Sequence, residues 1–163
     1  MRNEIDIMIR RVLPEDSEDI WRWRNDPLTR KMSTFNGEIN RESHQKWFTE
    51  SVSDINIIIF IGFNIANSKK IGLCRFNIRE NEKIADVSIN LNPEFRGIGL
   101  SSLLLMKSLR IFLSIHEYDV LSQIRKVNLP SIRCFRKCGF SLYDCDADYD
   151  YYALYANKDG NSP

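Results

Sequence analysis

The chain carries almost no net charge, with 23 lysines and arginines against 22 aspartates and glutamates. Such a balance gives no one-signed field to gather nucleic acid or an anionic membrane surface, and neither is expected as a partner. Long apolar runs are missing too. The longest, residues 57–63, is broken by Gly62 and falls far short of the about 20 residues that a bilayer span needs. The opening Met1-Arg2-Asn3-Glu4-Ile5-Asp6 has no apolar core of the signal-peptide kind, so a cytoplasmic location is expected. Histidine is scarce, and neither His44 nor His116 falls near Cys134 and Cys138, so the spacing builds no metal site. Those two cysteines, with Cys74 and Cys145, read as thiols of a reducing compartment. Asp144, Asp146, Asp148 and Asp150 read as a solvated hairpin, and no metal is expected. Repeats and linkers are absent, and 163 residues suit one domain with a real core.

What the sequence does have is one organising stretch, residues 85–107. Ala85, Val87, Ile89 and Leu91 alternate with Asp86, Ser88, Asn90 and Asn92, which is strand period. Pro93 ends the strand, because it offers no N–H and fixes its own φ. From Leu100 the apolar positions Leu103, Leu104, Met106, Leu109 and Phe112 fit one helical face. Between strand and helix lies Arg96-Gly97-Ile98-Gly99-Leu100-Ser101. Glycines let backbone N–H groups approach an anion, and the positive end of the following helix assists. Arg96 adds a permanent charge. The ordinary P-loop is excluded, since no Gly-Lys-Ser/Thr follows, and the dinucleotide fingerprint lacks its third glycine.

Taken in order, the chain predicts a strand over 5–12 and an acidic-opened helix from Pro14 that stops near Asn25-Asp26-Pro27. Residues 28–32 add one helical turn, and Asn40 caps a second helix over 41–50. Strands at 55–63 and 70–77 flank a hairpin, then come the central strand (84–91), a helix to about 115, and a strand over 120–124. A helix around Ser131 and strands at 141–143 and 149–155 complete a domain of residues 1–156. The polar residues 157–163 predict a frayed tail. Composition and spacing alone license α/β or α+β with a mixed sheet.

Two motifs carry a family resemblance. Arg96-x-x-Gly99-x-Ser101, entered through Pro93-Glu94-Phe95, resembles the acetyl-CoA signature of the GNAT N-acetyltransferases, with Ser101 a mild departure in the last place. Asn128-Leu129-Pro130-Ser131, continuing to Phe135 and Gly139-Phe140, resembles the family's second cofactor-binding helix. The resemblance implies a mixed, mostly antiparallel sheet of about seven strands flanked by about four helices. It implies that the strands at 84–91 and 120–124 splay apart, with acetyl-CoA as co-substrate threaded between them. Its binding residues would be Ile89, Leu91, Arg96, Gly97, Ile98, Gly99, Leu100, Ser101, Asn128, Ser131 and Phe135, with backbone amide around Ile89 to Leu91 holding the oxyanion.

In the reaction so implied, an amine attacks the thioester directly and must lose a proton. Asp86, Ser88 and Asn90 share a strand face, so Asp86 and Ser88, with Asn128, are candidate catalytic groups; Asp86 is equally readable as a solvated strand carboxylate. Many members have a tyrosine at the place of Phe135, thought to protonate the thiolate, and Phe135 has no exchangeable hydrogen. Tyr143 or a water on Asn128 could replace it, or the thiolate leaves unassisted. Gln123 stands where members that acetylate ribosomal-protein amino termini have a glutamate base, which weighs against a protein acceptor.

The first third, Trp23-Arg24-Asn25-Asp26-Pro27 with Arg30-Lys31-Met32 and then His44-x-x-Trp47-Phe48, resembles the branch that acetylates nucleotide-linked amino sugars in the pseudaminic-acid pathway. It implies a UDP-linked 4-amino-4,6-dideoxy sugar as the small-molecule amine, bound by Trp23, Arg24, Arg30, Met32, His44 and Trp47, with Arg24 and Arg30 as alternative diphosphate anchors. The same residues also read as an amphipathic helix with tryptophans in the core and a structural histidine. A protein amino terminus, an aminoglycoside, or a non-catalytic acetyl-CoA sensor remain alternatives, and the reading allows a homodimer.

Overall fold

Strands form where apolar residues alternate or, in residues 57–63, run together, and most connections fall at proline, glycine or asparagine, in a computed structural model that describes residues 5–156. The proposed tail at 157–163 lies outside the described residues. Seven strands build one sheet: β1 Ile7–Arg11, β2 Ile57–Asn64, β3 Lys70–Arg79, β4 Ile84–Leu91, β5 Asp119–Arg125, β6 Ser141–Cys145 and β7 Tyr149–Leu154. Their order is β1-β2-β3-β4-β5-β7-β6, antiparallel throughout except for β4 beside β5. The helices are α1 Ser17–Asn25, α2 Pro27–Met32, α3 Arg41–Ser53, α4 Leu100–Leu113 and α5 Leu129–Lys137. The mixed, mostly antiparallel seven-stranded sheet is as expected.

Differences in the elements have local causes. The described residues hold five α-helices instead of about four, because Asp26 leaves α geometry before Pro27 and starts α2 as a helix of its own. Its carboxylate accepts the Thr29 N–H at 3.0 Å. Asn40 caps α3 through Ser43 N at 2.8 Å, as expected, but α3 runs on to Ser53. Ile55 therefore lies in the turn after α3, 90% exposed, and β2 begins only at Ile57.

The two faces of the sheet bury different helices. Cys74 and Phe76 of β3 and Ala85 and Val87 of β4 pack against Leu105, Leu109 and Phe112 of α4, with Ile132 and Phe135 of α5 completing that layer. The alternate residues face α1 and α3, where Ile20, Trp23 and Phe48 cover Ile59, Ile61 and Leu73. Register places Arg75 of β3 opposite Ser88 of β4, and Leu73 opposite Asn90, so these four share the α1–α3 face. Asp16, with no exposed side-chain surface, ties the layers at one end. It accepts from Arg10 at 2.7 and 2.9 Å and from Leu13 N at 2.8 Å, and Lys70 lies 2.9 Å away.

Candidate active site

The site begins where β4 and β5 stop pairing. Their parallel register holds only at Ile84↔Asp119, Ala85↔Val120 and Asp86↔Leu121. Beyond that β4 stays bonded to β3 as far as Leu91, and β5 to β7 as far as Arg125. The two inner edges thus diverge and leave backbone groups without a strand partner, available to a ligand. A cleft of about 500 Å³ fills the wedge, with Ser88, Ile89 and Asn90 on one wall and residues 122–125 on the other.

The glycine turn closes one end of this cleft. Asn92 accepts from Glu94 N at 3.1 Å, a 3-10 turn over Pro93–Phe95 follows, and Gly97 and Gly99 take φ of +76° and +85°. A Cβ at either glycine would meet no protein atom within 4 Å, so the backbone conformation demands glycine there, not crowding by the protein. Arg96, Gly97 and Ser101 line the cleft. Ile98 and Gly99 are exposed on the turn outside that lining, and Leu100 is buried with Ile7, Ile71 and Phe95. Arg96 is not an open charge. Its guanidinium donates to Asp26 Oδ2 at 2.6 Å and to Thr29 Oγ1 at 2.6 Å, and the Thr29 hydroxyl donates to Asn90 Oδ1 at 3.2 Å. Asp26 in turn is held below the usual carboxylate range: burial pushes it up, but the Thr29 N–H and Arg96 outweigh it.

On the far wall Asn128 caps α5 by accepting Ser131 N at 3.2 Å, and Asn128, Ser131 and Phe135 all line the cleft. The Phe135 ring is 2% exposed and packs edge-to-face on Phe140 at 5.0 Å. Cys134 also lines the cleft. A hydrogen bond from Cys138 lowers its thiol pKa against the opposing effect of burial, with Ser101 and Ser102 assisting.

A second cavity, of about 290 Å³, lies between the α1–α3 layer and the sheet. It shares Thr29, Ser33, Ser88, Ile89 and Asn90 with the cleft, so the two meet on β4. Arg24, His44, Trp47 and Arg75 line it, and among the described residues no aspartate or glutamate does. Its loop wall is fixed by Ile39, whose carbonyl accepts from Trp21 Nε1 at 2.7 Å and Asn25 Nδ2 at 2.8 Å, while its N–H donates to Asn25 Oδ1 at 2.8 Å. His44 is buried, with Nε2 2.8 Å from the Ser17 carbonyl. Burial pushes its pKa below the usual value, against that hydrogen bond and the charge of Glu18.

The structure sorts the residues expected from sequence. Ser88, Ile89, Leu91, Arg96, Gly97, Ser101, Asn128, Ser131 and Phe135 come together in the cleft, and Met32 joins them there instead of in the second cavity. Arg24, His44 and Trp47 do line the second cavity. Trp23 does not: it is 5% exposed within the Ile20–Phe48 core, where its apolar rings satisfy the helix face. Arg30 lines neither cavity, and its Nε donates to Asn36 O at 3.1 Å. Asp86 sits where β4 and β5 are still paired, outside both linings, 3.0 Å from Arg79 Nε. Arg75 and Thr29 escaped sequence reading. The available signal for Arg75 was a cation on the Leu73–Asn77 side of an alternating strand.

A sheet splayed beside a glycine turn, with a second cavity reaching the same strand, is the arrangement that the sequence resemblance implies for an acyltransferase. The acetyltransferase (GNAT) domain family matches residues 6–141, and the chain belongs to that family of acetyl-CoA-dependent N-acetyltransferases. Among solved structures it is similar to a domain from Methanocaldococcus jannaschii DSM 2661, with 21% identity, a TM-score of 0.81, and 93% of this chain and 99% of that one covered. It is similar to spermidine N-acetyltransferase from Vibrio cholerae in complex with CoA and spermine, at 15% identity and TM-score 0.84 over 93% and 96% of the chains. A protein provisionally named a phosphinothricin N-acetyltransferase shares 20% identity and a TM-score of 0.78 over 94% and 100%. No curated protein matches the chain. Among the described residues no helix is long and apolar enough to cross a membrane, and no group of three or more histidines, cysteines and acids could hold a metal ion.

Proposed function

We propose that the acceptor is the amino group of a UDP-linked 4-amino-4,6-dideoxy sugar, acetylated by direct attack on acetyl-CoA. The observation that carries this is the second cavity, which meets the cleft at Ser88 and Asn90 and is lined by arginine and tryptophan without any carboxylate. A diphosphate suits such a lining, and a polyamine, the acceptor of the Vibrio cholerae enzyme, does not.

In this reading the turn at 96–101 receives the CoA phosphates and the splay receives the pantetheine arm. Free N–H groups near Ile89 to Leu91 hold the oxyanion as the thioester carbonyl is attacked. The amine arrives from the Ser88–Asn90 side. No carboxylate lines either cavity, so its proton leaves through the polar groups of Ser88 and Asn90 toward solvent, not through Asp86. The cations around it help beforehand, since a nearby positive charge lowers the pKa of an ammonium and raises the fraction of neutral nucleophile. Tyr143 lies outside the cleft lining, 47% exposed, so it is not the proton donor to the CoA thiolate; the phenol that does line the cleft is that of Tyr149. Assembly as a homodimer belongs to the same proposal. Its support is β6, an outer strand exposed along its whole length.

A thiol-release assay tests the acceptor. UDP-4-amino-4,6-dideoxy sugars are expected to give a higher kcat/KM than peptides, aminoglycosides or spermidine, and any of these proving better overturns the acceptor while leaving the acetyltransferase standing.

A further inference from the structure

Two arginines of the second cavity stand half-buried without a counter-ion. Arg24 donates once, from Nη2 to the Phe35 carbonyl at 2.6 Å, and its buried Nη1 has no hydrogen-bond partner among the described residues. Arg75 lies over the Trp47 ring at 5.2 Å, and its buried Nε is likewise without a partner among the described residues. Neither takes part in an ion pair among those residues; elsewhere in the molecule Arg10, Arg41, Arg79 and Arg96 all do. Burial lowers the pKa of both guanidiniums, with the charge of Arg30 adding to the effect at Arg24 and that of Asp54 opposing it at Arg75. Uncompensated buried cations with unmade hydrogen bonds are costly, and a fold retains them where something anionic meets them.

We infer that Arg24 and Arg75 form an oxyanion subsite that reads a phosphate or carboxylate on the acceptor, close to its reacting amine. The register fixes the closeness: Arg75 stands opposite Ser88, one strand spacing from where the amine meets the thioester. A guanidinium fork fits either oxyanion, and the stacked Trp47 holds the Arg75 fork in one orientation. The inference rests on the second cavity being the acceptor site, but not on the acceptor being a nucleotide sugar.

The experiment uses matched acceptor pairs: D-glucosamine 1-phosphate against D-glucosamine, and L-alanine against L-alaninamide. The full chain is expected to favour the charged member of at least one pair by roughly ten- to a hundredfold in kcat/KM, and the pair that responds tells phosphate from carboxylate. Arg75→Gln and Arg24→Gln should each erase most of that preference through the acceptor KM, with the KM for acetyl-CoA unmoved. Arg75→Lys and Arg24→Lys, which keep charge and stem, should restore part of it and guard against simple misfolding. Equal use of charged and neutral partners, or a preference that survives all four substitutions, overturns the subsite. Good turnover of carboxylate acceptors with none of UDP sugars keeps the subsite and overturns the nucleotide-sugar acceptor. Good turnover of UDP sugars untouched by both glutamine variants does the reverse.

Discussion

At the scale of single residues, Gly99 shows which demand the protein's own backbone makes of a glycine. A side chain at this position meets no protein atom, yet φ of +85° is a conformation that a β-branched residue resists. Gly99→Val is expected to weaken CoA binding at least tenfold by pulling the turn out of shape, and Gly99→Ala to weaken it less. Calorimetry with CoA checks the order; equal affinities in all three proteins would remove the turn from the cofactor site. Arg30 is the converse case. Arg30→Ala should leave the acceptor KM within about twofold, because that side chain lines neither cavity. A large rise would return it to the site as the diphosphate anchor. Trp23 lies on α1 and Trp47 on α3, and sequence assigned both to the acceptor; only packing tells the core ring from the lining one.

Among elements, the telling contacts are those that join parts far apart in the chain. Asp26 is the N-cap of α2 and the partner of Arg96, seventy residues on, so one carboxylate fixes both a helix start and the glycine turn. Asp26→Ala removes a cap worth about 0.5–2 kcal/mol and also frees Arg96. The expected result is a lower Tm together with a severalfold rise in the KM for acetyl-CoA. A lower Tm alone would make the contact purely structural. Asp16 joins β1, α1 and β3 in the same manner. Burial pushes its carboxyl up, but Arg10, Leu13 N and Lys70 outweigh it and hold it at about 2. Its folded pKa is depressed, so the stability it contributes is present above the unfolded value near 3.8 and is lost as pH falls from there toward about 2. Asp16→Asn is expected to lower stability at neutral pH by about 2–3 kcal/mol, by leaving Arg10 without its anion, while Lys70 keeps Asp19 at 2.7 Å. The variant's denaturant midpoint should also fall less steeply than wild type below pH 4.

For the whole molecule, the order of elements was legible because the strands carry either alternation or, as in β2, a short apolar run, and most turns carry a Pro, Gly or Asn. The cleft beside the glycine turn was legible for the same reason: Arg96 to Ser101 and Asn128 to Phe135 are contiguous stretches, and most of their expected residues do line it. The second cavity was not. It is made by register between β3 and β4 and by the depth to which α1 and α3 sink, and neither quantity is written in a contiguous stretch. That is why Arg75 was missed and why Arg24 and Arg30 could not be told apart.

The splay between β4 and β5 is a property of the whole sheet, and it makes the last prediction. Only three residue pairs hold the two strands together, so the sheet's two halves are joined mainly through the α4–α5 core on one face. A ligand threaded between them acts as a missing strand: it should slow amide exchange in residues 87–91 and 122–125 beyond the general effect of added stability. The general effect is itself calculable, since a ligand at a hundredfold its Kd adds about 2.7 kcal/mol, or roughly 5–10 °C in Tm for a domain of this size. Hydrogen exchange with and without CoA separates the two contributions. Protection concentrated on those two segments is the expected result. A rise in Tm with uniform protection and nothing extra at β4 and β5 would mean that CoA binds this chain somewhere other than the splay.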